Sequence, residues 1–291
     1  MTIWNLGSIN VDYVLRVPYL SAPGETIIAT GFSSGLGGKG ANHSIAAARA
    51  GAVVHHLGAV GEDGETWVAQ LEAAGVRTKY VVRVSAPTGR ADIRVDDAGE
   101  NSIVVLSGAN AEIPMSHVTS ALDEAVSGDL FLLQNETNAQ VEAASRAKER
   151  GLRVVYSAAP FNAKIVTEVL PAVSILIVNE VEAAQLAATL GREVTAEDVP
   201  VMVVTRGAEG AVWRDLAGKE EIHAPTPKVE AVDTTGAGDT FSGYLAASLD
   251  AGLPPKAAMA RAAMAAALSV TRRGAADAIP HVDEVEARRD W

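Results

Sequence analysis

The sequence predicts an α/β fold, a mostly parallel sheet flanked by helices with a small β-sheet lid attached. Two observations carry that expectation. Short apolar runs alternate with segments of helical spacing along most of the chain, and two stretches instead alternate polar and apolar residues one by one.

The runs Ile3 to Leu6, Val53 to Leu57, Leu130 to Leu133, Val154 to Tyr156, Ile175 to Val178 and Val201 to Thr205 are apolar enough to be covered on both faces, as strands of a parallel sheet are. Between them, Ala41 to Ala50, Thr66 to Ala74, Asn138 to Arg150 and Glu180 to Thr189 show helical spacing. Ala257 to Leu268 is helical by propensity, and Arg261 within it argues against a membrane segment. The period-two stretches are residues 13–33 and 81–105, the second folding back at Asp96 to Glu100. Alternation of this kind means one packed face and one wet face, so both segments are expected in a lid inserted into a single domain spanning residues 1–291.

Composition narrows the function classes. The 291 residues, 48% hydrophobic, suffice for one sizeable core. Twenty-four Lys and Arg against 36 Asp and Glu give a net charge of -12, which opposes nucleic-acid binding and favours a small-molecule substrate. The absence of cysteine excludes disulfides, thiolate catalysis and Cys-based metal sites. Residues 1–10 lack a basic segment followed by an apolar one, and no window approaches 18 apolar residues, so the expectation is an unexported cytoplasmic protein without a membrane partner.

The strongest local signal is Asp233-Thr234-Thr235-Gly236-Ala237-Gly238-Asp239-Thr240-Phe241 ahead of a helical pattern from Ser242 to Leu249. Glycines at a helix start let backbone approach a ligand, and the free N–H groups and positive dipole end favour an anion. Asp239 in that first turn is placed to take a proton from a hydroxyl attacking phosphorus. A simple helix cap is the alternative. A second cluster, Gly35 to Asn42, also precedes a helix. It lacks the P-loop spacing but matches G-x-G-x-x-G through Gly35, Gly37 and Gly40, with Glu62 about twenty residues on, so a dinucleotide-binding oxidoreductase enters as a competing class. None of the six histidines forms a hydride-handling constellation. Asn10 and Asp12, just after the first strand, suit adjacent hydroxyls of a polyol or, alternatively, an Asx turn.

Together, Asn10 to Asp12, Gly37 to Asn42, Asn179-Glu180-Val181-Glu182 and Asp233 to Asp239 resemble, in order and spacing, the motifs of the ribokinase (PfkB) family of carbohydrate kinases. The resemblance implies a three-layer α/β sandwich with a β lid. It makes Asp239 the catalytic base and Gly236, Ala237 and Gly238 the anion hole. Asn10, Asp12, Gly38, Lys39, Asn42 and Glu136 would hold the sugar together with Asp239. It assigns Asn179, Thr205, Gly207, Gly210 and Gly238 to ATP, Glu182 to Mg2+ through water, and Asp233, Thr235, Ser269, Arg272 and Gly274 to a potassium-type cation. Ala278, where the pattern often has a polar residue, offers that cation only a backbone group. Residues 189–201 depart from the pattern, being too short for the usual helix, and Pro200 points to a tight connector that alters the wall of the nucleotide site.

The expected reaction is transfer of the γ-phosphate of ATP to a primary hydroxyl of a small sugar, with ribose first and fructose, deoxyribose or a nucleoside as alternatives. A non-catalytic sugar sensor is the third class. Arg90, Asp92 and Arg94 share one face of a lid strand, expected to be the wet one, and the lid offers a surface for a homodimer.

Overall fold

The computed structural model describes residues 1–288. From the N-terminus the chain forms β1 (Thr2–Leu6), β2 (Asn10–Arg16), β3 (Gly31–Gly37), α1 (Lys39–Arg49), β4 (Val53–Val60), α2 (Glu65–Ala73), β5 (Arg77–Arg83), β6 (Gly89–Val95) and β7 (Asn101–Leu106). It continues through α3 (Met115–Glu124), β8 (Leu130–Leu133), α4 (Gln140–Glu149), β9 (Arg153–Ser157), α5 (Ala163–Val169), β10 (Ile175–Asn179), α6 (Glu180–Leu190) and β11 (Val201–Thr205). The hairpin β12 (Ala211–Asp215) and β13 (Glu220–Ala224) precedes α7 (Ala237–Asp250), α8 (Pro255–Ser269) and α9 (Val282–Glu286).

Nine strands make the central sheet in the order β13-β12-β11-β10-β9-β8-β1-β4-β5, parallel except where β12 runs antiparallel to both its neighbours. Because successive side chains point to opposite faces, the apolar strands feed two cores. Ile3, Val54, Leu130 and Leu132 pack with residues of α1, α7 and α8, while Leu6, Leu57, Phe131 and Leu133 pack with residues of α3, α4 and α6. This is the three-layer sandwich the sequence implied. Arg261, the charge inside the Ala-rich α8, ties layers together by donating to Ala50 O at 3.0 Å and pairing with Glu286 at 3.0 Å. No helix among the described residues is long and apolar enough to cross a membrane.

A second sheet, β3-β2-β6-β7, stands apart, with β2 and β6 parallel and the outer pairs antiparallel. Its strands start and end differently from the expectation. Strand β2 begins at Asn10, with three residues between it and the end of β1, so Asn10 and Asp12 belong to the lid sheet and not to a turn at the end of a central strand. Residues 81–83, expected in the lid, belong to β5, which pairs with β4 at the sheet edge. An edge strand of a covered sheet alternates in burial as a lid strand does, which is why the two look alike in sequence. Arg90 and Arg94 are exposed, as their shared face of β6 implied.

The short segment after α6 contains no helix. The left-handed Gly191 ends α6, and Arg192 then grips Asp198 with two bonds, at 2.6 and 2.8 Å. Asp198 also accepts from Thr195 N, and buried Val194 and Val199 seal the connector against the core.

Candidate active site

The carboxyl ends of β10 and β11 face the start of α7 across a cavity of about 320 Å³. Lys39, Asn179, Glu182, Thr205, Gly236, Ala237, Gly238 and Asp239 all line it. A second cavity, about 290 Å³, lies against the lid strand β7 and is lined by Asn10, Val105, Asn110, Glu136 and Asn138 among others. The predicted phosphate and sugar residues thus meet at one junction between sheet and lid.

Helix α7 starts at Gly236, whose φ of 72° is the left-handed geometry glycine adopts without strain. The N–H groups of the first turn have no intrahelical acceptor, so Gly238 and Asp239 present theirs toward the cavity they line. Asp239 accepts from Asn42 Nδ2 at 2.8 Å on one oxygen and faces His43 Nε2 at 3.3 Å on the other. Burial by itself pushes this carboxyl up. The contacts from His43, Lys39 and Asn42 outweigh burial and hold it at about 2, so the carboxylate is ionised at neutral pH.

Helix α1 brings the residues expected to hold a sugar to Asp239. Gly38, with φ 91°, is its N-cap, and Lys39 Nζ lies 3.8 Å from Glu136. Asp239 above all, then Glu136, Glu182 and Asp12, raise the Lys39 pKa against the opposing effect of burial. Glu136 sits on the helix start, accepting from Lys39 N at 2.9 Å and from Ser8 Oγ at 2.5 Å. Asn42 spends its amide on Asp239, leaving a buried Oδ1 with no partner in the chain, an acceptor ready for a hydroxyl. Asn10 is held by Asn110 Nδ2 at 2.7 Å. Asp12 is packed so close to Gly37 that a Cβ there would fall 2.1 Å from its carboxylate. Burial first, then the charges of Glu136 and Asp239, raise Asp12 to about 6, with Lys39 opposing.

Asn179 and Glu182 form a reciprocal capping box at the start of α6, each side chain bonding the other's N–H at 2.8 Å. Glu182 is therefore tied to the helix start through one oxygen and lines the cavity, and is not a solvated helix face. Its Oε2 is committed to the cap, and burial pushes its carboxyl up while Asn179 N–H and Lys39 oppose. Of the nucleotide residues, Thr205 lines the cavity, whereas Gly207 and Gly210 lie in the loop before β12 and do not.

Of the residues the resemblance assigns to a cation, Asp233, Thr235 and Gly274 come together. Asp233 accepts from Thr235 N and from Gly274 N, each at 3.0 Å, and burial, which raises it, is outweighed by these bonds so that its pKa falls. Ser269 ends α8 and Arg272 follows it, its guanidinium engaged by Glu284. Two backbone donors leave lone pairs on the Asp233 carboxylate, which with nearby carbonyls is the donor chemistry a monovalent cation takes. Among the described residues no cluster of three or more His, Cys, Asp or Glu is arranged to hold a metal.

Sequence reasoning missed His43. It follows Asn42 in the glycine cluster, and the only signal was a polar residue on the buried face of α1. Asn110, Ser8 and Gln134 were also missed: Asn110 reaches the site from a distant part of the chain, while Ser8 and Gln134 lie two residues from Asn10 and Glu136 but show their partners only in the fold. The G-x-G-x-x-G match has a different explanation from nucleotide binding: Gly35 and Gly37 lie in lid strand β3, not in a turn opening the first βαβ unit.

The sequence matches the pfkB family carbohydrate kinase over residues 3–282, and the chain belongs to that family. Its relatives narrow the comparison further. It is 37% identical to ribokinase from Haemophilus influenzae over 96% of this chain and 95% of that protein. It superposes on ribokinase from Thermotoga maritima with a TM-score of 0.88 at 34% identity, covering 99% of this chain and 98% of the other. The structure of Arabidopsis thaliana ribokinase complexed with ribose and ATP matches with a TM-score of 0.87 at 26% identity, over 100% of this chain and 99% of the other.

Proposed function

We propose that this chain is an ATP-dependent kinase that transfers the γ-phosphate to the primary hydroxyl of D-ribose. The observation that carries the reading is the position of Asp239, an ionised carboxylate in the first turn of α7, where the cavity lined by Asn179, Glu182 and Thr205 meets the polyol-binding side chains of α1 and the lid. Ribose would lie under the lid against Asn10, Asp12, Asn42 and Glu136, with its primary hydroxyl at Asp239. ATP would lie along the carboxyl edge of β10 and β11. Lys39 and the N–H groups of residues 236–239 would meet the negative charge of the transferring group, and lid closure would exclude water as a competing nucleophile.

Mg2+ would be held mainly by the nucleotide phosphates and water, with Glu182 acting through water, which suits an ion that dehydrates reluctantly. When bound it neutralises phosphate charge. A potassium-type ion would sit on Asp233 and the carbonyls of Thr235, Ser269, Arg272 and Gly274, stiffening the 233–238 loop without touching the sugar. Residues 1–291 act as one domain with an inserted lid in this reading, and the supply of ATP and the absence of cysteine favour the cytoplasm. A homodimer would form through the lid face that carries Phe32 and Val104, both more than half exposed, which a second lid would cover.

The test is ADP release from ATP and Mg2+ against ribose, 2-deoxyribose, fructose, other hexoses and nucleosides. Ribose giving the highest kcat/KM, with phosphorus coupled to the C5 protons of the product, supports the assignment. Turnover confined to another substrate, or none with any, overturns it.

A further inference from the structure

Three side chains in the otherwise apolar middle of the central sheet form a polar layer under α1. Asn5 of β1 pairs in register with His56 of β4, and Gln134 follows directly after β8, which is also a neighbour of β1. All three are buried to within 1% and lie on the same face as Ile3, Val54 and Leu132. Asn5 bonds Gln134 directly and His56 through Ser44 of α1, and Gln134 bonds His43 of α1; Ser44 and His43 are both fully buried.

The hydrogens in this network have one consistent arrangement, because backbone carbonyls end it and carbonyls only accept. Asn5 Nδ2 donates to Gly40 O at 2.8 Å and to Ser44 Oγ at 2.7 Å, which turns Asn5 Oδ1 toward Gln134. Gln134 Nε2 must then be the donor to Asn5 Oδ1 at 2.9 Å, and the same nitrogen lies 2.8 Å from His43 Nδ1. His43 Nδ1 therefore accepts, and the ring's proton is on Nε2. On the other branch Ser44 donates to His56 Nδ1, and His56 Nε2 donates to Gly7 O at 3.1 Å. His43 Nε2 has no other partner and faces Asp239 Oδ1 at 3.3 Å, slightly beyond the usual range for N–H···O. Catalytic hydrogen bonds tighten from such distances when substrate binds.

We propose that His43 is a positioning residue for Asp239: its Nε2–H donates to Oδ1 while Asn42 holds Oδ2, fixing the carboxylate plane toward the sugar hydroxyl. Packing alone would not require a network that delivers a proton to the one nitrogen facing the carboxylate. Asp239 is otherwise faced by Lys39 of α1 and Asp12 of β2, with Glu182 of α6 on the same cavity. The inference rests on Asp239 acting as base.

The experiment joins nitrogen NMR of the full chain to pH profiles. With the His43 signal assigned by its loss in folded His43→Gln, the wild-type ring is expected with its proton on Nε2; a proton on Nδ1 overturns the proposal whatever the activity of the variants. His43→Leu should lower kcat roughly 10- to 100-fold by misplacing the carboxylate. It should also move the acid limb of the kcat profile up by about one pH unit, since a donor to the charged form is lost. His43→Gln, which offers an amide donor, should recover most of both. A folded His43→Leu enzyme with unchanged kcat and limb, or equal losses in Leu and Gln with the limb unmoved, overturns the role. Asp239→Asn run in parallel separates the two claims: if it turns over normally the base assignment fails, whereas if it is dead while His43→Leu is normal, only the His43 role fails.

Discussion

Gly40→Ala probes how the site is positioned without touching any group that contacts substrate by its side chain. Gly40 lies in the first turn of α1 against Gly7, the residue after β1, and the two backbones meet with nothing between them. A Cβ on Gly40 would fall 2.3 Å from Gly7 C and Ser8 N and 2.4 Å from Gly7 Cα, where carbon contacts settle at about 3.5 Å. Those atoms are backbone held by the sheet, so the helix start must retreat by about 1 Å, taking Lys39 and Asn42 with it. Overpacking of this kind costs about 1–3 kcal/mol, and a displacement of about 1 Å in the groups that orient substrate costs roughly 100-fold in rate. The assay is steady-state ADP release with ribose, alongside thermal unfolding; kcat/KM should fall about 100-fold and Tm by roughly 2–6 °C. A variant within threefold of wild type in kcat/KM would refute the reasoning, because α1 would then tolerate the shift without disturbing Asn42 and Asp239.

Three further outcomes follow from the same geometry. Asp12→Asn should stabilise the free protein above pH 6 while weakening sugar binding: the folded carboxyl holds its proton to about 6 against 3.8 unfolded, so stability falls as pH rises through that window, by at most about 3 kcal/mol, and the neutral amide avoids the loss. Unfolding and ribose titrations at pH 5 and 8 check this. Asp233→Ala should abolish any activation by K+ and lower kcat, since the carboxylate also clasps Thr235 and Gly274; turnover against a KCl series shows whether saturable activation disappears. Val104→Asp with Phe32→Glu should convert a lid-paired dimer to monomer in sedimentation at low micromolar concentration.

The fold was legible where physics is local. Apolar runs such as Leu130–Leu133 are strands because only a covered sheet accommodates them, and the glycines of Gly236 to Asp239 mark the start of α7. It was less exact where one pattern has two causes, as at β5, whose edge position gives it the alternation of a lid strand. What sequence could not give was convergence. Asn5, His43, His56 and Gln134 are polar residues in apolar surroundings and so individually conspicuous, yet their meeting depends on the strand order β8-β1-β4, which no spacing encodes. Glu182 shows the same limit on a smaller scale: the N-x-x-E pattern is visible, but its capping box becomes evident only from the backbone around Asn179.

The most direct test of the central claim is ribose-dependent ADP release by wild type and by Asp239→Asn, with ribose affinity measured calorimetrically in both. The account predicts turnover in wild type, a fall of roughly 10²–10⁴ in the variant, the range of a positioned base, and retained ribose binding. Turnover by Asp239→Asn within tenfold of wild type, or ribose binding without ADP release in wild type, would contradict it.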